Sequence, residues 1–581
     1  MSGFWPDAVL PGRTISAVTM TQGNFILGRG RSRRLTGALA WLGTAALVIG
    51  GSTTSANAAT STPEIAPLLS VSGETVPGEY IVVLKDGSAP GASGLRSTAS
   101  PDRVKAAAEH GRKLGAGIKR QFSGAIQGYS ADLSGTELTA IRQDPTVAYV
   151  QPNRVFRTEA ESTGTPVRHP AVQAEATQTK PVWGLDRVDQ RNLPRDKKYY
   201  ATATGAGVTA FIVDTGIAAG QQDLHHVGTG VDVVGDGQGT NDCAGHGTHV
   251  SGTVGGGEYG VAKSVTLIPI RVLDCDGNGT TDSVVAGLDA IVGLGISGPK
   301  VVNMSLGGGP DATVDAAVKN LVDNAGITVV LAAGNGDEDG KPLSACSVSP
   351  ARVKTAITVG ATTSADKRTS WSNYGSCVDL YAPGQNIWSD WISPDGSWYI
   401  NMISGTSMAA PHVTGAVAMY LQRHPSATPA QVQAALIKTA TPNKVTNVSS
   451  AWPRLLLFAL QPAVKPVSVT SGNKLKYNQS LVRGNKICSA NGAYCLSPEA
   501  ASGKLVLRKV TGTKKVIWTA GKSVYWTRMT STGALSSYDG YGRRVWTSKK
   551  TGGKATLYVV SSGYLSIKRD SDGKVLWTSK G

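Results

Sequence analysis

Phe211-Ile212-Val213-Asp214-Thr215-Gly216 is an apolar run that closes on a carboxylate and then turns. It reads as a buried strand whose last residue, Asp214, stands where the chain leaves a sheet. Working outward, short apolar runs at 208–213, 265–273, 300–305, 327–333 and 356–360 alternate with helical patterns at 283–295, 312–325 and 408–422. Such alternation predicts an α/β domain, a parallel sheet covered by helices on both faces. In sheets of that kind functional groups collect at the carboxyl ends of the strands. An Asp at a strand end can also be an ordinary helix cap, so Asp214 gains meaning only from other segments.

Two segments supply it. Gly245-His246-Gly247-Thr248-His249-Val250-Ser251-Gly252 carries two His three apart, without a nearby third ligand or an HExxH pattern for a metal. Gly405-Thr406-Ser407-Met408-Ala409-Ala410-Pro411-His412 places Ser407 at the start of an apolar helix, where an N-cap is the ordinary role. Taken together, Asp, His and Ser meet a chemical need. A serine hydroxyl becomes a nucleophile when an imidazole takes its proton, and a carboxylate holds that imidazole in one tautomer. Ala332-Ala333-Gly334-Asn335 ends another predicted strand and offers an amide to a developing oxyanion.

The three segments, in the order Asp, His, Ser, resemble the subtilase family and within it the proteinase K and aqualysin branch, over roughly 180–460. The resemblance implies a subtilisin-like serine endopeptidase with Asp214 orienting, His246 as base, Ser407 as nucleophile and Asn335 completing the oxyanion hole with the Ser407 N–H. His249 and His412 fall at structural positions. Gly277, Asn278 and Gly279, and Ser305, Leu306 and Gly307, match the two edges that hold an extended peptide. Ala332, Ala333 and Gly334 match the wall of the pocket for the residue before the cut, open enough for large apolar or aromatic side chains. Asp379 with the carbonyls of Lys354 and Ala356 falls at one structural calcium position. Asp186, Asp189 and Gln190 fall at a second, where Asp196 and Lys198 replace the usual small hydroxyl residues.

Residues 1–58 read as a secretory signal. Arg29, Arg31, Arg33 and Arg34 precede the apolar run Leu35 to Gly50, and Ala56-Asn57-Ala58 follows as a cleavage site. The run is too short and too rich in Gly and Thr for a membrane span. The mature protein is therefore expected to be secreted, monomeric and free of the membrane. Residues 59–175 form a pro-segment and linker. A strand at 79–85, a helix near 101–117, strands near 124–133 and 146–156 and a helix at 135–143 suit a ferredoxin-like βαββαβ unit, folded over about 78–157. It resembles the family's inhibitory propeptide, with Tyr149 to Phe156 as the tail that lies in the cleft. Residues 158–180 read as a polar linker, and the mature enzyme is expected to begin near 176. Six Cys in an exported chain can all pair, and their pattern alone leaves the connectivity open. The aqualysin resemblance implies Cys243–Cys275 and Cys346–Cys377. Cys488 and Cys495 are close enough for a hairpin disulfide.

Lys and Arg number 57 against 40 Asp and Glu in 581 residues, a formal charge of +17. That total invites a nucleic-acid reading, but residues 463–581 alone hold 21 basic and four acidic side chains, while 176–462 hold 19 and 23. The charge belongs to the tail. There Gly503-Lys504-Leu505, Gly533-Ala534-Leu535 and Gly563-Tyr564-Leu565 recur, each followed by a Trp, at 518, 546 and 577. This predicts a threefold all-β module and resembles the bulb-type lectins, although their mannose motif QxDxNxVxY is missing from all three repeats. The Trp are expected in the core. Anionic wall polymers, neutral glycans bound by other residues, or a removable extension aiding secretion each fit such a module; sequence-specific nucleic acid does not. A catalytically silent binding protein on a subtilase scaffold is the competing reading of the whole chain.

Overall fold

The computed structural model describes residues 65–85, 101–158, 161–162, 165–168, 177–201, 203–393, 397–459, 469, 471–530, 532–540, 544–548 and 552–580. The proposed signal segment lies outside them. The first unit runs β1 (Thr75–Leu84), α1 (Pro101–Lys113), β2 (Gly117–Phe122), β3 (Gly128–Asp132), α2 (Gly135–Arg142) and β4 (Val147–Thr158). It is the expected βαββαβ unit, an antiparallel sheet in the order β2-β3-β1-β4. Two boundaries differ from expectation. The helix near 101–117 stops at Lys113, because Gly115 takes φ +101° and breaks the spiral. The strand expected over 124–133 is only 128–132, and β2 precedes it.

The stretch expected to be a polar linker is partly paired among its described residues. It forms β5 (Glu161–Ser162), β6 (Val167–Arg168) and β7 (Thr177–Thr179). Their alternation is too short for a hydrophobic period to reveal.

Next come α3 (Trp183–Val188), β8 (Lys198–Tyr200), β9 (Thr209–Asp214), β10 (Val231–Asp232), α4 (His246–Gly255), β11 (Thr266–Arg271), β12 (Asn278–Thr280) and α5 (Thr281–Gly293). Then follow β13 (Lys300–Met304), β14 (Leu306–Gly307), α6 (Ala312–Asp323), β15 (Thr328–Ala332), β16 (Ile357–Thr362), β17 (Leu380–Pro383), β18 (Ile387–Trp391), β19 (Tyr399–Ser404), α7 (Thr406–Arg423) and α8 (Pro429–Thr439). Seven strands make one sheet in the order β10-β11-β9-β13-β15-β16-β17, every pair parallel. Period-two alternation sends Ala210 and Ile212 to the side of α4 and α7, and Phe211 and Val213 to the side of α5 and α6. Ile81, Val83, Phe122 and Phe156 of the first unit complete that second core.

The basic tail forms three four-stranded antiparallel sheets around one core that includes Leu481, Leu496, Leu507, Leu535, Leu557 and Leu565. Each repeat supplies three strands. The fourth comes from the lead-in: Lys474–Leu475 joins the last repeat's sheet, Ser480–Val482 the middle one's and Ile487–Cys488 the first one's. Trp518 meets Trp546 and Trp577 edge-on at 5.6 and 6.1 Å, packed against that core as expected. The disulfides are Cys243–Cys275, Cys346–Cys377 and Cys488–Cys495.

Candidate active site

Strand β9 lies where the sheet order reverses, with β11 on one side and β13 on the other. Its carboxyl end is therefore the crevice in which open α/β sheets bind ligands. Asp214 ends this strand with no solvent exposure. Its Oδ1 accepts from the Thr215 N–H at 2.8 Å and lies 2.7 Å from His246 Nδ1. His246 is the first residue of α4, and the helix start is built around Asp242. One Asp242 oxygen accepts the N–H groups of Ala244 and Gly245, and the other accepts the Thr248 N–H and hydroxyl. Gly245 adopts φ +97°, and a Cβ there would sit 2.5 Å from the Trp391 ring. Only Gly makes this entry into the helix.

Ser407 is the second residue of α7 and fully buried. Pro411, four residues on, has no N–H to give the Ser407 carbonyl. The Ser305 hydroxyl supplies the missing donor at 2.9 Å, and the Ser407 hydroxyl donates to the Ser305 carbonyl at 2.9 Å in return. Asn303 donates to Ser305 Oγ, and Thr414 donates to Asn303 Oδ1. Ser305, expected only as a substrate edge, is thus also the anchor of the Ser407 turn. Asn335 follows β15, with Ala332, Ala333 and Gly334 buried behind it. Its Oδ1 accepts both the N–H and the hydroxyl of Thr406 at 2.9 Å, which fixes the amide beside Ser407. His249 and His412 are fully enclosed, and burial pushes them down to about 3 and about 4. They bond to the carbonyls of Ile387 and Met408, so both serve as neutral core groups.

A strand of the protein itself runs into this site. Val155, Phe156 and Arg157 of β4 pair with Thr280, Gly279 and Asn278, while Arg157 and Thr158 pair with Gly307 and Leu306. The Thr158 N–H donates to the Gly277 carbonyl at 3.0 Å. The two expected edges therefore hold an extended chain between them. Behind it the sheet of the first unit is fastened to α5 and α6. Asn153 accepts the Asp282 N–H, Gln151 accepts the Ala312 N–H, and Asp289 accepts three N–H groups from Ser123 to Ala125. The first two partners satisfy orphan donors of the helix starts.

Residues 205–452 match the family model described as the Subtilase family, and residues 79–159 match Peptidase inhibitor I9. An extracellular serine proteinase of Thermus sp. (strain Rt41A) is 47% identical over 428 residues, which is 72% of this chain and 98% of the relative. The chain belongs to the subtilase family. Alkaline serine exoprotease A of Vibrio alginolyticus is 45% identical, over 58% of this chain and 60% of the relative. A solved structure described as a cold adapted subtilisin-like serine proteinase is 46% identical, matching 49% of this chain and 100% of that one at a TM-score of 0.46. As a subtilase with an I9 module ahead of it, the chain is a serine peptidase that carries its own inhibitor.

The two subtilase calcium positions differ in their fit. The carbonyls of Lys354 and Ala356 and the Asp379 carboxylate do converge, but on the Gln433 amide, whose nitrogen donates to them at 3.5, 3.1 and 3.2 Å. An N–H donor stands where an oxygen-seeking cation would, so this set does not fit calcium. Burial pushes Asp379 up to about 6. In the second set the donors are backbone groups: Asp186 accepts the Lys197 N–H, Asp189 the Tyr200 N–H and Gln190 Oε1 the Asp196 N–H. Asp186, Asp189 and Gln190 are all buried on one turn, and Asp196 lies close enough to raise Asp186 electrostatically, after burial itself. These are hard oxygen donors of the kind Ca²⁺ takes.

Sequence reasoning missed Asp242 and Gln433. An Asp four residues before the His of the second motif was a visible capping signal. Nothing in the sequence joins Gln433 to Asp379.

Proposed function

We propose that this subtilase is a secreted endopeptidase, folded as a precursor that occupies its own cleft. His246, held by Asp214, takes the proton of Ser407 Oγ as that oxygen attacks the carbonyl carbon of the cleaved bond. The Asn335 amide and the Ser407 N–H, at the positive end of α7, receive the oxyanion. His246 then returns the proton to the leaving amine, and water repeats the sequence on the acyl-enzyme. In the precursor the Ser407 hydroxyl points to the Ser305 carbonyl and must turn to His246 for attack. Peptide substrates lie extended between Gly277–Gly279 and Ser305–Gly307, where backbone pairing gives affinity with little demand on sequence. The single observation that carries this reading is the β4 strand paired between the two cleft edges as far as Thr158, with the Asp214–His246 pair formed. Secretion is supported by the relative named extracellular. Among the described residues no helix is long and apolar enough to cross a membrane.

We propose a first cut ahead of the expected start of the mature enzyme. The chain is paired to the cleft edges up to Thr158 and paired again, beyond Ser407, from Glu161. Self-cleavage therefore falls between 158 and 161, and removal of the rest up to about 175 is a later step. Structural calcium is proposed at Asp186, Asp189 and Gln190. The tail is proposed to hold anionic surfaces through exposed Lys474, Lys476, Lys504, Lys514 and Lys515. A sulfonyl fluoride tests the enzyme reading: the processed protein is modified at Ser407 and loses activity. Processed protein that reacts nowhere is instead the silent scaffold.

A further inference from the structure

Strand β19 pairs on one side with β18. Its other edge is covered by the stretch that follows the proposed cut. Glu161 and Ser162 pair with Ser404 and Ile403, and Val167 and Arg168 pair with Ile400 and Tyr399. Ser404 stands three residues before Ser407, so this edge begins at the nucleophile. Five steps of the covering chain, from Ser162 to Val167, span three of β19. Pro166, just before the second pair, has no N–H to contribute. Val167 is 43% exposed and Arg168 is exposed too, so at this pair the backbone carries the contact. The I9 match ends at 159 and the subtilase match begins at 205, so residues 161–168 belong to neither module.

We propose that the outer edge of β19, Tyr399–Ser404, is a docking strand for the part of a polypeptide substrate that follows the cleaved bond. It takes that part as an extended strand of about six residues, the length of β19. In the precursor Glu161, Ser162, Val167 and Arg168 occupy the edge as an internal mimic, a second inhibitory contact beyond the I9 module. Once they are trimmed the edge is left with unpaired N–H and C=O groups, which a substrate backbone satisfies. The occupant is identified by continuity: β4 lies on the near side of Ser407, and the same chain continues onto β19 on the far side. This rests on the peptidase reading above.

The test uses the secreted, processed enzyme and peptides that share one sequence before the cut. They carry two, four or eight residues after it, the longest ending in Glu161–Arg168. A fourth peptide is N-methylated at the positions of Ser162, Val167 and Arg168. The docking strand predicts kcat/KM rising about tenfold from two residues to eight, a gain that a net pair of backbone hydrogen bonds supplies. The N-methylated peptide falls back to the two-residue value. Equal kcat/KM at all lengths, or no effect of N-methylation, overturns the docking strand while leaving the peptidase intact. Failure to cleave any of the peptides overturns the peptidase reading and this one with it.

Discussion

Ser305 shows what a single residue contributes beyond its motif. It was legible as part of a Ser-Leu-Gly substrate edge, because that edge is contiguous in sequence. Its second task was not legible, since it depends on the N–H that Pro411 lacks and on a carbonyl brought near by α7. Ser305→Ala leaves the Ser407 carbonyl and the Asn303 amide short of a partner. The expected cost is about 1–3 kcal/mol, measured as a lowered denaturant midpoint, together with reduced kcat as the nucleophile loses its anchor. Asp390 on β18 is a second such residue. It is fully buried, its Oδ1 accepts from Trp398 Nε1 at 2.7 Å, and Asp223, Glu258 and Lys263 face it. Burial, then the charge of Asp223, holds its carboxyl well above the usual range. The fold thus keeps a proton that the unfolded chain gives up near the ordinary carboxylate value of about 4. Its contribution is whole below that pH and is lost as pH rises toward the folded value. Asp390→Asn cannot ionise, so it should denature at higher temperature than the parent at alkaline pH, with the gap closing toward pH 4. A variant less stable than the parent at alkaline pH contradicts the assignment. Asp214, His246, Ser407 and Asn335 were legible because each sits in a motif with a chemical demand of its own. Asp390 has no local signal, for its partners arrive from three separate segments.

At the scale of elements, the apolar runs of the sheet were legible because strands buried on both faces have few polar interruptions. β17 and α8 escaped notice, one being four residues long and the other half-exposed. Helix α8 matters all the same, because it carries Gln433 into the space between Lys354, Ala356 and Asp379. The calcium position proposed at Asp186, Asp189 and Gln190, around the end of α3, is the one to test. Removing calcium with a chelator should lower the melting temperature in a single increment that returns with Ca²⁺. Asp186→Asn or Asp189→Asn should abolish that increment, whereas Gln433→Ala should leave it unchanged. An increment that survives Asp186→Asn and disappears in Asp379→Asn would restore the first site. Helix α4 carries a similar lesson, since its start is held by Asp242, which gathers five donors, the Thr215 hydroxyl among them.

For the whole molecule, the charge of +17 is a property of the tail, and the peptidase part is mildly acidic. The repeat spacing disclosed three units, but a repeat has three strands and each sheet has four, so the borrowed lead-in strands could not be read from the period. The Lys side chains of the tail predict salt-dependent retention. The full-length secreted protein should bind an anionic polymer such as a teichoic acid at low ionic strength and leave it as salt rises, since exposed charges are screened within about 10 Å at 0.1 M salt. Binding unaffected by salt, or equal for protein ending before residue 463, contradicts that role. On the proposed reading Ser407 acts first on its own chain, between Thr158 and Glu161. The most direct measurement is the intact mass of the precursor and its products, wild type against Ser407→Ala, each expressed alone. The account predicts a wild-type chain cut between 158 and 161 and a variant that stays whole. A variant cut at the same bond, or a wild type cut first elsewhere, would contradict it.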